Sequence, residues 1–521
     1  MDASKTIGEN SGFWKALGSD YLFKIVNEPI GHEFLNRAQK SNSVVYYRTH
    51  YTFNSETGED QNAGGSVCGR VLTIDDQGNY HYDFSTVNKT FKEYVDRGMK
   101  PVVEFDFYPT GLAAKDKGGP NDESFESDDR APADWEKWEE LLNKFMQNLV
   151  DTFGKEEMRT WYYEVWNEPD SWPVEQLPVF FRLYDVFANV VKSYDKDFKV
   201  GGPACYNLYF MEYFLQHVVK GTNFVTGEKG SPLDFVSHHV YGLSGAWLSK
   251  PPEIVPQVSR FTVELLWVER MLNRHHLKGK VEFLMNEWGV CSNFKRTVAE
   301  HPQLVYRNSE FSALFMVKLV DCLYGLEDNF KFKTTMMAYW GFCVEATWNV
   351  MFAGNRDLMT GGNIPKPILI AYEMLAMLGE KRLAVEDLVI GSRFAQGERF
   401  GIIPTRDDNR IVFIVYNFCE TDDDLDRIDD IVVNLSNLPS GKTYKWEEIL
   451  MDDKHNNSYS LWIENGRPEN PSELTPDFLS KAREIEVTKS GSVSTGKNGI
   501  ATIEIPLKRH SMKLYELKLK E

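Results

Sequence analysis

Positive charge is in short supply. The chain's 58 lysines and arginines face 77 aspartates and glutamates, a net charge of −19. A nucleic-acid or anionic-membrane partner needs a basic surface, so the balance argues against both. It disfavours a polyanionic substrate for the same reason. Cysteine is sparse too. Cys68, Cys205, Cys291, Cys322, Cys343 and Cys419 are scattered, with no CxxC and no metal-like spacing to histidine. Several stand in apolar runs, which predicts buried free thiols. No apolar run approaches the ~20 residues of a membrane span. The start, Met1-Asp-Ala-Ser-Lys, has no apolar core of a secretion signal. A cytoplasmic protein and an exported one supplied without its signal both fit. Low-complexity linkers are missing, and the one repeat is a strand–helix alternation.

At 521 residues the chain exceeds one average domain, which predicts a large barrel or sandwich plus a second module. Its 13 tryptophans and 24 tyrosines are ordinary core material, but also the rings that carbohydrate-handling proteins set against the apolar faces of sugars. β-rich runs begin at Val44, Lys100, Trp161, Phe198, Leu233, Lys280 and Thr334, with amphipathic helical patterns between them. Seven strands are clear, and a weak eighth over Tyr21–Val26 would complete the set. Strands alternating with helices imply a parallel sheet. The expectation is an α/β chain whose residues 21–382 form a (β/α)8 TIM barrel. Beyond Leu383 the pattern turns antiparallel, as in Arg410–Phe418, Asp430–Leu435 and Ala501–Leu507, with no helical pattern of similar strength. Residues 383–521 are therefore expected to be a β-sandwich. Residues 1–20 are expected to be an edge piece packed on it, and Glu420–Asp424 a solvated loop.

The barrel is organised around Trp161-Tyr-Tyr-Glu-Val-Trp-Asn-Glu-Pro-Asp170. Its first half reads as a buried strand. Pro169 cannot continue the ladder, so the strand should end near Glu168. A carboxyl desolvated among aromatics favours its protonated form, which suits a general acid. Alone, the segment could equally be a surface turn. Asn286-Glu287-Trp288 removes that symmetry, because it puts a second glutamate after an asparagine at the end of the strand from Lys280. Counted in order, Glu168 falls on the fourth strand and Glu287 on the seventh, at the rim where barrel enzymes place their chemistry. Two carboxylates across a cleft are the equipment for glycoside hydrolysis. His50 and His239 fall at strand ends, which supports pocket positions. Alternation turns His238 to the opposite face from His239, a structural place.

Further segments carry a resemblance: Tyr46-Tyr-Arg-Thr-His-Tyr, Lys100-Pro-Val-Val-Glu-Phe, Glu164-Val-Trp-Asn-Glu-Pro, Lys199-Val-Gly-Gly-Pro-Ala, Val236-Ser-His-His-Val-Tyr, Tyr339-Trp-Gly-Phe, Ile364-Pro-Lys-Pro and Trp462-Ile-Glu-Asn-Gly-Arg-Pro. In this order and spacing the chain resembles glycoside hydrolase family 39, best known for β-xylosidases and also containing α-L-iduronidases. The resemblance implies a retaining, exo-acting enzyme with Glu168 as acid/base and Glu287 as nucleophile. Asn167 would bind the hydroxyl beside the reacting carbon. His50, His239 and Tyr241 would line the −1 pocket over a Trp340 floor. It implies an oligosaccharide or glycoside substrate and neither metal nor cofactor, although a His–His–Glu metal site is conceivable from the residues alone.

Two segments depart from the family pattern. Where β-xylosidases carry Ser-Asp-x-Phe-Glu-Glu, this chain has Cys343-Val-Glu-Ala-Thr-Trp348, leaving Glu345 as the one acidic residue for sugar hydroxyls. Phe352-Ala-Gly-Asn-Arg-Asp-Leu358 replaces a glycine-rich stretch. Its Arg356 is expected to pair with Asp357, the other reading being a contact to a uronate carboxylate. β-Xylosidase activity is the leading expectation. The alternatives are an arabinoside, galactoside, glucoside or uronide specificity, or a non-catalytic carbohydrate binder.

Overall fold

The computed structural model describes residues 1–19, 24–53, 71–109, 111–112, 130–243, 255–292, 297–341, 350–386, 399–421 and 424–520. Eight parallel strands close into a barrel. They are β1 (Ala16–Ser19), β2 (Tyr46–Thr49), β3 (Lys100–Phe105), β4 (Tyr162–Val165), β5 (Lys199–Cys205), β6 (Phe235–Leu243), β7 (Glu282–Cys291) and β8 (Met336–Trp340). Each pairs with its neighbour in sequence, and β8 closes on β1 through Ala338–Ala16 and Trp340–Gly18. All nine positions of β6 are buried, as a strand covered on both faces requires. Small, aliphatic and aromatic residues fill the barrel interior: Ala16, Val102, Tyr162, Phe235, Leu284, Met336 and Ala338 pack together there.

Helices wrap the outside. The helix Trp135–Phe153 begins at Asp134, whose carboxylate accepts the Glu136 and Lys137 N–H groups at 2.9 and 3.1 Å. It buries Trp138, Leu141, Leu142, Phe145, Met146 and Leu149 on one stripe against the barrel. Among the described residues no helix is long and apolar enough to cross a membrane. Cys205, Cys291, Cys322 and Cys419 are buried and unbridged, while Cys68 and Cys343 lie outside the described residues.

The first barrel strand corrects the reading of the N-terminus. It is Ala16–Ser19, inside the stretch 1–20 expected to be an edge piece. Of the strand expected over Tyr21–Val26, residues 21–23 lie outside the described residues and Lys24–Val26 are helical. The preceding strand, Asp2–Glu9, pairs antiparallel with Lys381–Ala384. Together these open a seven-stranded antiparallel sheet, continued by Phe400–Arg406, Arg410–Asn417, Ser511–Leu519, Thr443–Met451 and Lys489–Ser494.

The middle strands of that sheet, Phe400–Arg406, Arg410–Asn417 and Ser511–Leu519, are largely buried on both faces, and their period-2 alternation sorts the two cores. Val412, Ile414, Tyr416, Met512 and Leu514 join the barrel core, whereas Ile411, Phe413, Val415, Tyr515 and Leu517 pack in a second core. The second core is covered by the ribbon of Ile428–Leu435 paired with Ala501–Lys508. Two short helices missed by periodicity, Ser458–Glu464 and Pro476–Arg483, lie between Thr443–Met451 and Lys489–Ser494. Trp462 is on the first of them, and both pack on Phe352 and Ile364 of the barrel. In the run 420–424, Thr421 and Asp424 are exposed as expected and residues 422–423 lie outside the described residues, but Glu420 differs. Glu420 is buried, accepting from Lys318 Nζ at 3.2 Å and the Val258 N–H at 3.3 Å.

Candidate active site

The chemistry-bearing side chains gather at the C-terminal ends of the barrel strands. β4 ends at Val165, and the chain then turns through two left-handed residues, Trp166 at φ +66° and Glu168 at φ +46°. Neither is glycine, so each conformation costs free energy of order 1–3 kcal/mol. The Glu168 N–H donates to the Ala204 carbonyl at 2.9 Å, and Pro169 starts a tight turn, which together hold the bend. β7 continues through Glu287 to Cys291 instead of ending there. Its register against β6 slips between Leu284 and Glu287, a bulge that re-aims the side chain into the mouth.

The two glutamates meet at His239, which pairs with Glu287 across the sheet. The imidazole Nδ1 lies 2.8 Å from Glu168 Oε1 and 3.6 Å from Glu287 Oε2. One oxygen of each carboxylate and the ring nitrogen all fall within 4.8 Å of one another. The Tyr241 hydroxyl donates to Glu287 Oε1 at 2.5 Å and itself accepts from Arg356 Nη1 at 2.6 Å.

Beneath lies a charge network. Arg48 on β2 is fully buried; its guanidinium pairs with Glu104 at 2.9 Å and with Glu164, and reaches Glu287 at 3.4 Å. The same group donates to Asn167 Oδ1 at 3.1 Å and stands 5.1 Å from the Trp340 ring centroid. His50 Nδ1 lies 2.6 Å from Glu104 Oε2, with its ring 4.4 Å from Trp340. Asn286 Nδ2 donates to both Glu164 oxygens, at 3.0 and 2.9 Å.

Burial disfavours the charge of Arg48, but Glu104, Glu164 and Glu287 outweigh it and hold the group above the ordinary arginine range. Burial, aided by the neighbouring glutamates, pushes Glu104 well above the usual carboxylate range in spite of Arg48. Burial drives the His239 imidazole down to about 3, so it is neutral at physiological pH. Asp170, two residues past Glu168, is pushed up to about 7 by burial and then by the Glu168 charge.

Asn167, Glu168, His50, His239, Tyr241, Glu287 and Trp340 are thus brought to one cleft. Glu345 lies outside the described residues. His238 turns away, its Nε2 3.3 Å from Glu264 Oε2 on the helix Val258–Arg274. Arg356, expected to pair with Asp357, donates to Tyr241, and Asp357 accepts from Asn355 at 2.6 Å. By ligand type, His50–Glu104–Asp106 and Glu168–His239–Glu287 could each hold an ion. In the first set the carboxylates already serve Arg48, His50 or backbone N–H groups, and in the second Glu287 serves Tyr241 while Glu168 lies against His239.

Arg48, Glu104, Glu164 and Asp170 were missed from sequence. The first three do leave a trace: a charged residue inside a run of buried strand residues is almost never unpaired. All three stand in such runs.

A (β/α)8 barrel with two carboxylates brought together at the C-terminal ends of its strands defines the class of barrel glycoside hydrolases. The chain belongs to glycosyl hydrolases family 39, whose pattern matches residues 64–500. Over 527 aligned residues it is 24% identical to a beta-xylosidase of Caldicellulosiruptor saccharolyticus, covering 98% of this chain and 96% of that one. The fold superposes on a monomeric beta-xylosidase from Caulobacter crescentus CB15 with a TM-score of 0.75 at 22% identity, over 99% of this chain and 98% of that one. It is also 21% identical over 366 residues to the alpha-L-iduronidase of Mus musculus, which covers 64% of this chain and 55% of that protein.

Proposed function

We propose that the chain is an exo-acting retaining glycosidase with β-xylosidase specificity, working through a covalent glycosyl-enzyme. One observation carries the mechanism: oxygens of Glu168 and Glu287 approach within 4.8 Å. Retaining glycosidases hold their carboxyls about 5–5.5 Å apart, whereas inverting ones leave roughly 6.5–9.5 Å for a water. In the first step Glu287 attacks the anomeric carbon, the bond to the leaving oxygen breaks, and Glu168 gives that oxygen its proton. In the second step Glu168 takes a proton from water, the hydroxyl adds to the anomeric carbon, and Glu287 departs.

The surroundings fit these roles. Tyr241 and Arg48 direct donors at Glu287, which fixes the oxygens of the nucleophile. Asn167 gives its amide oxygen to Arg48, which leaves its NH2 to donate to the neighbouring sugar hydroxyl. His239, neutral, links the pair without adding a charge. A matched carboxylate pair has no use in a pure sugar binder.

β-Xylosidase specificity rests on the names of the relatives that span nearly the whole chain. A uronide is the second reading, favoured by Arg356. It is a buried guanidinium on the Tyr241 hydroxyl beside Glu287, able to meet a carboxylate bidentately. A panel of aryl glycosides that includes a xyloside and a uronide decides between them. Glu168→Ala and Glu287→Ala are each expected to lower kcat/KM on the best substrate more than about a hundredfold. NMR of the first-formed sugar should show the anomeric configuration kept. Inverted product, or two active variants, would overturn the reading.

A further inference from the structure

The carboxylate pair explains cleavage but leaves open what receives the departing part of the substrate. Glu168 is the open member of the pair, with its side chain 33% exposed against 8% for Glu287. Its proton goes to the leaving oxygen, so side chains on its open face meet the leaving group and not the transferred sugar.

Tyr206 stands beside the Glu168 turn. It is the first residue beyond β5, two residues from Ala204, whose carbonyl accepts the Glu168 N–H. It is 49% exposed. Burial and then the charges of Asp170 and Glu168 hold its phenol above the ordinary tyrosine range.

The backbone of Tyr206 is bound to the same turn. Asp170 Oδ2 accepts the N–H groups of Tyr206 at 3.0 Å and Asn207 at 2.7 Å. Asn207 in turn caps the helix Leu208–Lys220 by accepting the Tyr209 N–H at 2.8 Å. The strap is made with a largely buried carboxyl whose other oxygen has no hydrogen-bond partner, an arrangement that costs stability. It makes the Glu168 turn and the start of the next loop a single unit. An exposed tyrosine alone would mean nothing. One whose backbone is tied by Asp170 to the turn that carries the acid/base has its place in the chain specified.

We propose that Tyr206 is the leaving-group platform of this site, its ring packing on the sugar or aglycone beyond the scissile bond while Asp170 holds it in register with Glu168. The proposal rests on the glycosidase reading of the Glu168–Glu287 pair. Tyrosine suits the task because it presents an apolar face with a wet polar tip, and a pyranose offers a C–H face rimmed by hydroxyls.

The test compares two substrates that share a glycon and differ in leaving group, β-D-xylosyl fluoride and β-1,4-xylobiose, or the same pair built on whichever glycon the panel selects. Fluoride has no ring to stack. In Tyr206→Ala the ratio of kcat/KM on the disaccharide to kcat/KM on the fluoride should fall about tenfold. In Tyr206→Phe it should stay within about threefold of wild type. The ratio is taken on one preparation, so a partly unfolded variant lowers both rates and leaves it untouched. An unmoved ratio in Tyr206→Ala would overturn the proposal, as would an equal fall in Tyr206→Phe, which would assign the effect to the hydroxyl. A wild-type chain that hydrolyses no glycosyl fluoride is a different result. It would overturn the glycosidase reading, and the platform with it.

Discussion

His239 and Asp170 both touch the Glu168 turn, and burial drives them in opposite directions, with opposite consequences for stability. The His239 imidazole is held down to about 3. Below its ordinary value of about 6.5 the unfolded chain takes up a proton that the folded chain refuses. Its contribution is therefore present above about 6.5 and lost as pH falls towards 3. Asp170 is held up to about 7. Its penalty is absent below the ordinary value of about 3.8 and grows as pH rises through 7. Asp170→Asn keeps an oxygen to accept the Tyr206 and Asn207 N–H groups while removing the charge. Thermal unfolding should find this variant stabilised over wild type by about 2 kcal/mol more at pH 8 than at pH 5. An equal difference at both pH values would show that the carboxyl carries no such penalty.

Among the elements, β1 decides where the Trp340 ring can sit. Ala16–Ser19 holds one glycine whose smallness is required: a Cβ on Gly18 would lie 2.1 Å from Cζ3 of Trp340. Gly18→Ala should therefore push Trp340 out of place, cost roughly 1–3 kcal/mol by overpacking, and lower kcat/KM by about tenfold or more. Urea unfolding and steady-state kinetics read the two effects. Trp340→Phe in the same chain should recover part of the stability but not the activity. The same glycine explains why this strand is invisible in sequence. A four-residue strand of alanine, leucine, glycine and serine has none of the β-branched and aromatic enrichment that marked the other seven, so the more apolar Tyr21–Val26 drew the assignment. The glutamates were legible because each follows an asparagine at a strand's rim, one of them marked by proline. The network under them was legible only in part. Arg48, Glu104 and Glu164 are unusual within their buried runs, but nothing local says which charges meet, since their partners come from other strands. The helices carrying Trp462 and Phe478 escaped because seven- and eight-residue segments give too few turns to establish a period.

At the scale of the molecule, the barrel and the antiparallel sheet are not two beads on a string. The chain enters through a sheet strand, Asp2–Glu9, then lays down barrel strand β1, and returns to the sheet at Lys381–Ala384. The helix Glu310–Phe330 is buried on every side from Phe311 to Leu326, because barrel and sheet cover its two faces. Polar groups cross that seam in matched sets. Arg382 meets both Asp328 oxygens at 3.0 Å, Tyr416 donates to Asp321 at 2.9 Å, and Lys318 pairs with Glu420. A shared core with paired charges predicts that both parts unfold together, in one calorimetric transition. Lys318→Met tests the seam directly. It leaves Glu420 buried without its cation, which should cost about 3–5 kcal/mol. Adding Glu420→Gln should return most of that loss, because the stranded charge and not the missing attraction is what hurts. Throughout, the single transition should move down in temperature without splitting. If the sheet instead melted apart from a barrel whose glycosidase activity persisted, the two would be independent units, and the sheet's role would be confined to its own stability.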